Sequence, residues 1–169
     1  VVLFGLAEME RSRRFAHEMK AGRIEELGQL MNISHDGDRV ISIAADGSER
    51  PYRAPTSNEY ILGLIDDLES GDLDRVSRAQ LQGQPGSYHC SLPEIDRMVH
   101  ISLQTEGVVG AQLAGAGLGG CMMVLAHRDA VSNLVTNLTQ HYYQPHAKAP
   151  TILVCRPVAG CDVLMRNAW

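Results

Sequence analysis

The densest chemical signal in the chain is a run of glycines near its centre. Residues 115–121 contain glycine at positions 115, 117, 119 and 120. Glycine reaches positive φ and lets backbone approach another group closely, because it has no Cβ. A dinucleotide fingerprint, however, needs a helix opening on its last glycine, and a phosphate-binding loop needs Gly-Lys-Ser/Thr. Here the glycine-rich run contains no lysine and leads into an apolar run. Taken alone, the pattern favours a tight connection between strands.

Two pairs of polar residues are further candidates. Ser34 and His35 stand at the predicted end of a helix, where they could face a cleft and donate to a substrate or phosphate oxygen, or could cap the helix. Glu94 and Asp96 could act as paired carboxylates. Residues 91–94 read Ser-Leu-Pro-Glu, however, so Glu94 fits a capping box and Asp96 falls in a first helical turn. We expect structural roles for both carboxylates.

The cysteines and histidines do not form a metal motif. The four cysteines are separated by 31, 34 and 6 positions, and no histidine pair has the spacing of a zinc site: Cys90, Cys121, Cys155, Cys161. We therefore predict no metal site and reduced thiols. Cys121 begins an apolar run without a basic neighbour, which favours a small buried side chain over a nucleophile.

The charge distribution is uneven. The chain has 20 acidic and 15 basic residues, a net charge of -5. Residues 36–87 hold 10 of the acidic and 5 of the basic ones, so the remainder is neutral. The chain has no stripe of basic residues of the kind that would indicate nucleic-acid binding. No apolar run is long enough to cross a membrane, and no signal peptide is recognisable. These features predict a cytoplasmic protein with no nucleic-acid or membrane partner.

Hydrophobic periodicity predicts the elements that must position these residues. In the first half we expect a helix ending at Gly22, a second helix from Arg23 to the region 32–37, a hairpin turning at Asp46-Gly47, and helices after Pro55 and from Leu73. In the second half we expect a helix capped by Ser91, strands at 108–113 and 121–126, a helix capped by Asp129, and strands at 151–156 and 163–166 around a turn at 157–160. This order predicts an α+β fold with helices on one face of an antiparallel sheet.

Four motifs in order resemble a known kinase family. Residues 107–121, Gly-Val-Val-Gly-Ala-Gln-Leu-Ala-Gly-Ala-Gly-Leu-Gly-Gly-Cys, resemble the third signature motif of the GHMP sugar and metabolite kinases in its galactokinase form. Residues 30–35, Leu-Met-Asn-Ile-Ser-His, are similar to the Leu-Met-x-x-Ser-His of the galactokinase C-terminal half. Residues 91–96 resemble Ser-Cys-Pro-Glu-Leu-Asp, and residues 156–160 resemble a Pro-x-x-Gly turn near the C-terminus.

This resemblance implies a fold and a division of labour. Residues 1–169 would form the ferredoxin-like C-terminal domain of a two-domain kinase. The serine-rich phosphate loop, the catalytic Asp and most sugar ligands of the family belong to an N-terminal half that is absent here. We therefore assign no catalytic residue to this chain and expect ATP and Mg²⁺ to be bound mainly by that half. The residues expected to line the cleft between domains are Gly115, Gly117, Gly119, Gly120, Ser34 and His35.

The sequence departs from the family pattern between two of these motifs. In galactokinases the Ser-His element is followed closely by the Ser-Cys-Pro-Glu-Leu-Asp element, whereas 55 residues separate His35 from Ser91 here. We interpret residues 37–88 as an acidic, folded insertion, since they carry apolar periodicity. It could reshape the sugar pocket, form a homodimer contact or cover the cleft.

The resemblance implies that the full-length protein transfers the γ-phosphate of ATP to a sugar hydroxyl, while this chain alone is inactive. Galactose, arabinose and uronic acids are all open as substrates. The alternative is a non-catalytic, galactokinase-like sensor of sugar and nucleotide, and a third reading is a free-standing dimerisation module.

Overall fold

The computed structural model describes residues 1–156, which form an α+β fold. The helices are α1 (Val2–Ala21), α2 (Ile24–Asp38), α3 (Asn58–Glu69), α4 (Leu73–Ala79), α5 (Pro93–Leu103) and α6 (Val131–Leu138). The strands are β1 (Ile41–Ile43), β2 (Glu49–Pro51), β3 (Val108–Ala114) and β4 (Cys121–Ala126). Short 3₁₀ turns occupy Leu81–Gly83 and Arg128–Ala130, and a π-helical turn, Thr139–Tyr143, extends α6. The predicted α+β class is confirmed.

Helices α1 and α2 form an antiparallel hairpin at the predicted glycine. Gly22 has φ +70°, and its N–H donates to the carbonyls of Glu18 and Met19. The following N–H, of Arg23, also donates to the Glu18 carbonyl. This left-handed glycine cap satisfies carbonyls that the helix end leaves free. The prediction that α1 ends at Gly22 is confirmed.

Strands β3 and β4 pair antiparallel, and α2 covers the other edge of β3. A Cβ on Gly28 of α2 would lie 2.5 Å from Cγ1 of Val109, so the helix approaches the strand closely because it carries glycine there. The Ala111 N–H donates to Oδ1 of Asn32 at 2.9 Å. An edge strand otherwise exposes unpaired amides. Helix α2 therefore takes the place of a neighbouring strand along this edge.

The hydrophobic core lies between α5 and one face of β3. Its buried residues are Ile95 and Val99 of α5 with Ala111 and Leu113 of β3. The two strand residues are two positions apart and so point to the same face. The two helix residues are four positions apart and so lie on the same helical face.

Residues 37–88 form two small substructures, and the two ends of this segment lie side by side. Strands β1 and β2 form a hairpin in which the Ser48 N–H donates to Oδ1 of Asp46. Helices α3 and α4 form a helical hairpin that turns at Gly71, with φ +72°. The N–H groups of Tyr88 and His89 both donate to the carbonyl of Gly37, at 2.8 and 3.2 Å. The segment therefore enters and leaves the domain at one place.

Two predicted helix caps are wrong. Leu92 is the N-cap of α5 and makes no side-chain cap, while Ser91 Oγ donates to Oδ1 of Asp96 at 2.6 Å. A hydrogen bond from a hydroxyl to a buried, ionised carboxylate is stronger than one between neutral groups, so the Ser91 hydroxyl is directed at Asp96. The predicted cap Asp129 instead lies inside the 3₁₀ turn that precedes α6.

The predicted strand at 151–156 is also wrong. These residues are assigned to no strand and are exposed, with Leu153 86% accessible. Apolar and β-branched residues favour strands, but a strand forms only where a partner supplies a ladder of hydrogen bonds. Within residues 1–156 the sheets are the pairs β1–β2 and β3–β4. The predicted turn at 157–160 and strand at 163–166 lie outside the described residues.

Candidate functional site

The glycine-rich loop between β3 and β4 adopts a backbone that few other residues tolerate. Gly115, Gly117, Gly119 and Gly120 have φ of +88°, +80°, +133° and +90°. Leu118 is also left-handed, with φ +59°, and its side chain is 81% exposed. Positive φ costs non-glycine residues about 1 kcal/mol or more. The spacing of the glycines therefore follows from the conformation of the loop.

One glycine of the loop is also required by a close contact. A Cβ on Gly117 would collide with the carbonyl oxygen of Cys90 and would lie 2.6 Å from its Sγ. The neighbouring Leu118 N–H donates to the same carbonyl at 2.7 Å. By contrast, no atom lies within 4 Å of a Cβ built on Gly115 or Gly119. The loop is thus docked on Cys90 at its middle and open on either side.

His35 is wholly buried rather than open to a ligand. Its Nδ1 accepts the Leu113 N–H at 3.3 Å, and its Nε2 lies 3.2 Å from Oδ1 of Asp96. Because Nδ1 acts as an acceptor, the ring proton belongs on Nε2, facing the carboxylate. The imidazole therefore joins α2, β3 and α5 from inside. It does not cap the carbonyl end of α2.

Asp96 is the centre of this buried polar cluster. Its Oδ2 accepts the N–H groups of Val40 and Ile41, both at 2.9 Å, and its Oδ1 accepts the Ser91 hydroxyl. Burial alone would raise the pKa of Asp96, but hydrogen bonds from His35, Ser91 and the two amides outweigh burial and lower it. The carboxylate therefore stays ionised and holds the start of β1 against α5. This agrees with the structural role expected for it. The other carboxylate, of Glu94, lies at 4.0 Å from the Arg97 guanidinium.

Ser34 opens on a groove that contains none of the loop glycines. The groove has a volume of about 430 Å³ and runs between α1, α2 and the β3–β4 pair. Ser34 lines it together with Gln112 of β3 and Met123 of β4, opposite Phe15 and Met19 of α1. Within the described residues, the predicted cleft residues therefore separate into an exposed loop, a groove residue and a buried histidine.

Cys90, which contacts the glycine-rich loop, and its partner Asp38 were not predicted from the sequence as residues of the candidate site. Cys90 Sγ donates to Oδ1 of Asp38 at 3.1 Å. Burial, followed by the Asp38 carboxylate, raises the pKa of the Cys90 thiol to about 12. Burial also raises the pKa of Asp38, against the opposing effect of the Cys90 hydrogen bond. The thiol is therefore protonated at neutral pH and is not a nucleophile. Cys121, which we expected to be buried, is exposed.

A second cavity of about 420 Å³ lies between the β1–β2 hairpin, α5 and α6, lined by Arg97, His100, Gln104, Asn137 and His141 among others. Among residues 1–156, no three His, Cys, Asp or Glu side chains are grouped so as to hold a metal ion. No helix in the described part of the chain is long and apolar enough to cross a membrane.

Comparison with known proteins assigns the domain to a family. Residues 64–144 match the family described as GHMP kinases C terminal. This match begins within α3 and includes α5, the glycine-rich loop and α6. The chain therefore contains a GHMP kinase C-terminal domain in residues 64–144.

Within that class, the chain is similar to galactokinases. It is 30% identical to the galactokinase of Streptococcus suis (strain 05ZYH33) over 96% of this chain and 44% of that protein. It is 29% identical to the Streptococcus mutans galactokinase over 85% of this chain and 38% of the relative. A galactokinase of Roseiflexus sp. (strain RS-1) is 35% identical over 60% of this chain and 27% of the relative. The chain thus spans less than half the length of these relatives.

Proposed function

We propose that this chain is the C-terminal domain of an ATP-dependent sugar kinase of the galactokinase type. The full-length protein would transfer the γ-phosphate of ATP to a hydroxyl of galactose or a related sugar. The observation that carries the proposal is the glycine-rich loop of residues 115–120, held in left-handed conformations in a domain similar to galactokinases. A cytoplasmic location is part of the same proposal.

In this proposal the loop contributes shape rather than a reactive group. Its glycines leave room for a substrate or for the other domain, and its backbone N–H groups are donors that need no side chain. It carries no acid, base or cation. We accordingly place no catalytic residue in this chain and assign cleft lining to Gly115, Gly117, Gly119, Gly120 and Ser34. His35 supports β3 from inside the domain.

ATP and Mg²⁺ would be held mainly by the part of the protein outside this chain. The described residues offer no cluster of carboxylates for a metal ion, and the loop has no lysine for a phosphate. The residues present therefore do not fit a self-contained MgATP site. Phosphoryl transfer depends on phosphate ligands, metal ligands and a group that orients the acceptor hydroxyl.

The test is phosphorylation of a panel of sugars by the full-length protein. The panel is galactose, arabinose, galacturonic acid and glucose, with ADP formation as the readout. We expect sugar-dependent ADP formation with one of the first three, and none from the 169-residue chain alone. Sugar phosphorylation by the 169-residue chain, or none by the intact protein, would contradict the proposal. Sugar and nucleotide binding without turnover by the intact protein would support the non-catalytic sensor instead.

We further infer that residues 37–88 mediate a homodimer. No residue of α3 is buried, and its apolar residues Leu62, Ile65 and Leu68 are 59%, 44% and 46% exposed. Exposed apolar patches of this kind commonly mark interfaces. Asp66 and Glu69 flank the patch, so two α3 helices would repel one another face to face.

The second copy offers a complementary surface. On α1, Leu6 and Met9 are 50% and 58% exposed and are followed on the same side by the exposed side chains of Arg13 and Lys20. An α3 helix against the α1 helix of a second copy would pair apolar with apolar side chains and acidic with basic side chains.

Light scattering should give a dimer for the wild type and a monomer for Ile65→Glu, with Leu153→Glu as an exposed control that stays dimeric. A monomeric wild type, or a dimeric Ile65→Glu, would exclude this interface.

A further inference from the structure

Two non-glycine residues in left-handed conformations lie in segments that are joined by a backbone hydrogen bond. Leu118, in the glycine-rich loop, has φ +59°, and His89, in the segment before α5, has φ +61°. The Leu118 N–H donates to the carbonyl of Cys90, the residue after His89. Such conformations are costly for side chains larger than glycine and persist where surrounding contacts enforce them. The contact between these two segments is therefore a determinant of both backbones.

The contact is made at close range. Gly117 has no room for a Cβ, because the carbonyl oxygen, Cβ and Sγ of Cys90 already occupy that space. Gly115 has a similar φ, +88° against +80° for Gly117, and no atom lies within 4 Å of a Cβ built on it; the Cβ position of Gly119 is also open. Cys90 thus contacts the loop at Gly117 and Leu118, whereas the Cβ positions of Gly115 and Gly119 on either side are open.

Cys90 is itself fixed from the opposite side. Its Sγ donates to the Asp38 carboxylate, and the Ser91 N–H donates to the Asp38 carbonyl at 3.0 Å. The N–H groups of Tyr88 and His89 are both bonded to the Gly37 carbonyl. Residues 88–91 are therefore tied to the end of α2 by four hydrogen bonds, which makes them a rigid support.

We propose that Cys90 is a positioning residue that sets the place and shape of the glycine-rich loop. Its carbonyl holds the Leu118 amide, and its side chain, oriented by Asp38, fills the space that Gly117 leaves empty. Only the final consequence, an effect on sugar phosphorylation, rests on the proposed function. The structural part can be tested without any activity.

The first test compares two glycine substitutions in the 169-residue chain by amide hydrogen exchange. Gly117→Ala adds a methyl group that must collide with Cys90, whereas Gly115→Ala adds the same group at nearly the same φ with no atom within 4 Å. We expect the Leu118 amide to exchange at least about tenfold faster in Gly117→Ala than in Gly115→Ala, because its bond to Cys90 is broken. Equal exchange of this amide in the two variants would overturn the proposal.

The second test alters Cys90 itself and also covers the case in which Gly117→Ala does not fold. Cys90→Ser keeps a donor for Asp38, while Cys90→Val loses it and adds a branch toward the loop. We expect Cys90→Ser to retain the protection of the Leu118 amide and Cys90→Val to lose it. If both variants lose the protection of the Leu118 amide, or both retain it, the role of the Cys90 side chain is refuted.

In the full-length protein, Cys90→Val should lower kcat/KM for the sugar at least about tenfold while Cys90→Ser stays within about threefold of the wild type. If hydrogen exchange changes as expected but neither variant affects phosphorylation, the positioning role stands and the role of the loop in the cleft fails. If exchange does not change, the positioning role fails whatever the activity.

Discussion

The substitution Asp96→Asn removes the negative charge at the centre of the buried cluster while keeping its volume. Asp96 is 1% exposed; its Oδ2 accepts two backbone amides, and its Oδ1 accepts the Ser91 hydroxyl and lies 3.2 Å from Nε2 of His35. Asparagine has one acceptor oxygen, so its NH₂ group must face one of these pairs. Turning NH₂ toward His35 sets it against an Nε2 that carries a proton.

The expected loss follows from the bonds that remain unmade. Either the two amide hydrogen bonds or the Ser91 hydrogen bond and the His35 contact are lost; a hydrogen bond to a charged group is worth about 1.5 to 3 kcal/mol, and a buried donor is left without an acceptor. We therefore predict that Asp96→Asn lowers the free energy of unfolding by about 3 to 5 kcal/mol at pH 7. That is a large share of the roughly 5 to 15 kcal/mol that stabilises a typical domain.

Urea unfolding of the 169-residue chain measures this difference directly, with Asp129→Asn, at an exposed position of the 3₁₀ turn before α6, as the matched control. Because hydrogen bonds lower the pKa of Asp96 in the folded state, its contribution is complete above the unfolded pKa of about 3.9 and disappears as pH falls through the lower, folded value. The gap between wild type and Asp96→Asn should therefore narrow below about pH 4. A gap under about 1 kcal/mol at pH 7, or one that widens in acid, would refute this reasoning.

Three further substitutions test other parts of the fold by unfolding measurements. Gly28→Ala should destabilise the chain by about 1 to 3 kcal/mol, because its methyl group enters β3; Gly63→Ala, in an open position of α3, should instead stabilise it by about 0.5 to 1 kcal/mol. Arg11→Met should cost about 3 kcal/mol and expose α3–α4 to proteolysis, since the buried guanidinium holds two carbonyls that follow α4. Asp38→Asn should stabilise the chain at pH 7 but not near pH 3, because burial raises the pKa of Asp38 and so penalises its ionised form as pH rises. Equal stability of Gly28→Ala and wild type, of Arg11→Met and wild type, or a loss in Asp38→Asn at pH 7 would each contradict its prediction.

The elements that the sequence predicted well depend on local chemistry. Gly22 ends α1 because only glycine adopts the left-handed cap without strain, and residues 121–126 form the predicted strand because they are continuously apolar. The Asp46-Gly47 hairpin likewise follows from its turn residues. In each case the residues that favour the element lie within it or directly beside it.

Two of the wrong predictions concern residues whose surroundings depend on distant parts of the chain. Ser91 has the sequence of a capping residue, but a carboxylate that also binds Val40 and Ile41 takes its hydroxyl. The strand at 151–156 was predicted from composition, which does not supply a partner strand.

In the candidate site, too, the locally determined feature could be predicted and the long-range contact could not. The conformational need for glycine at 115–120 was readable from the sequence, whereas the contact between Gly117 and Cys90 joins positions whose proximity no local pattern reveals.

The most direct test of the account is transfer of labelled γ-phosphate from ATP to the sugars of the panel by the intact protein and by two truncated forms. One truncated form is the 169-residue chain, and the other is the remainder of the protein without it. The account predicts transfer by the intact protein and none by either part, because the cleft needs both domains. Transfer by either part alone would contradict it. The account would also be contradicted if no form of the protein labelled any sugar of the panel.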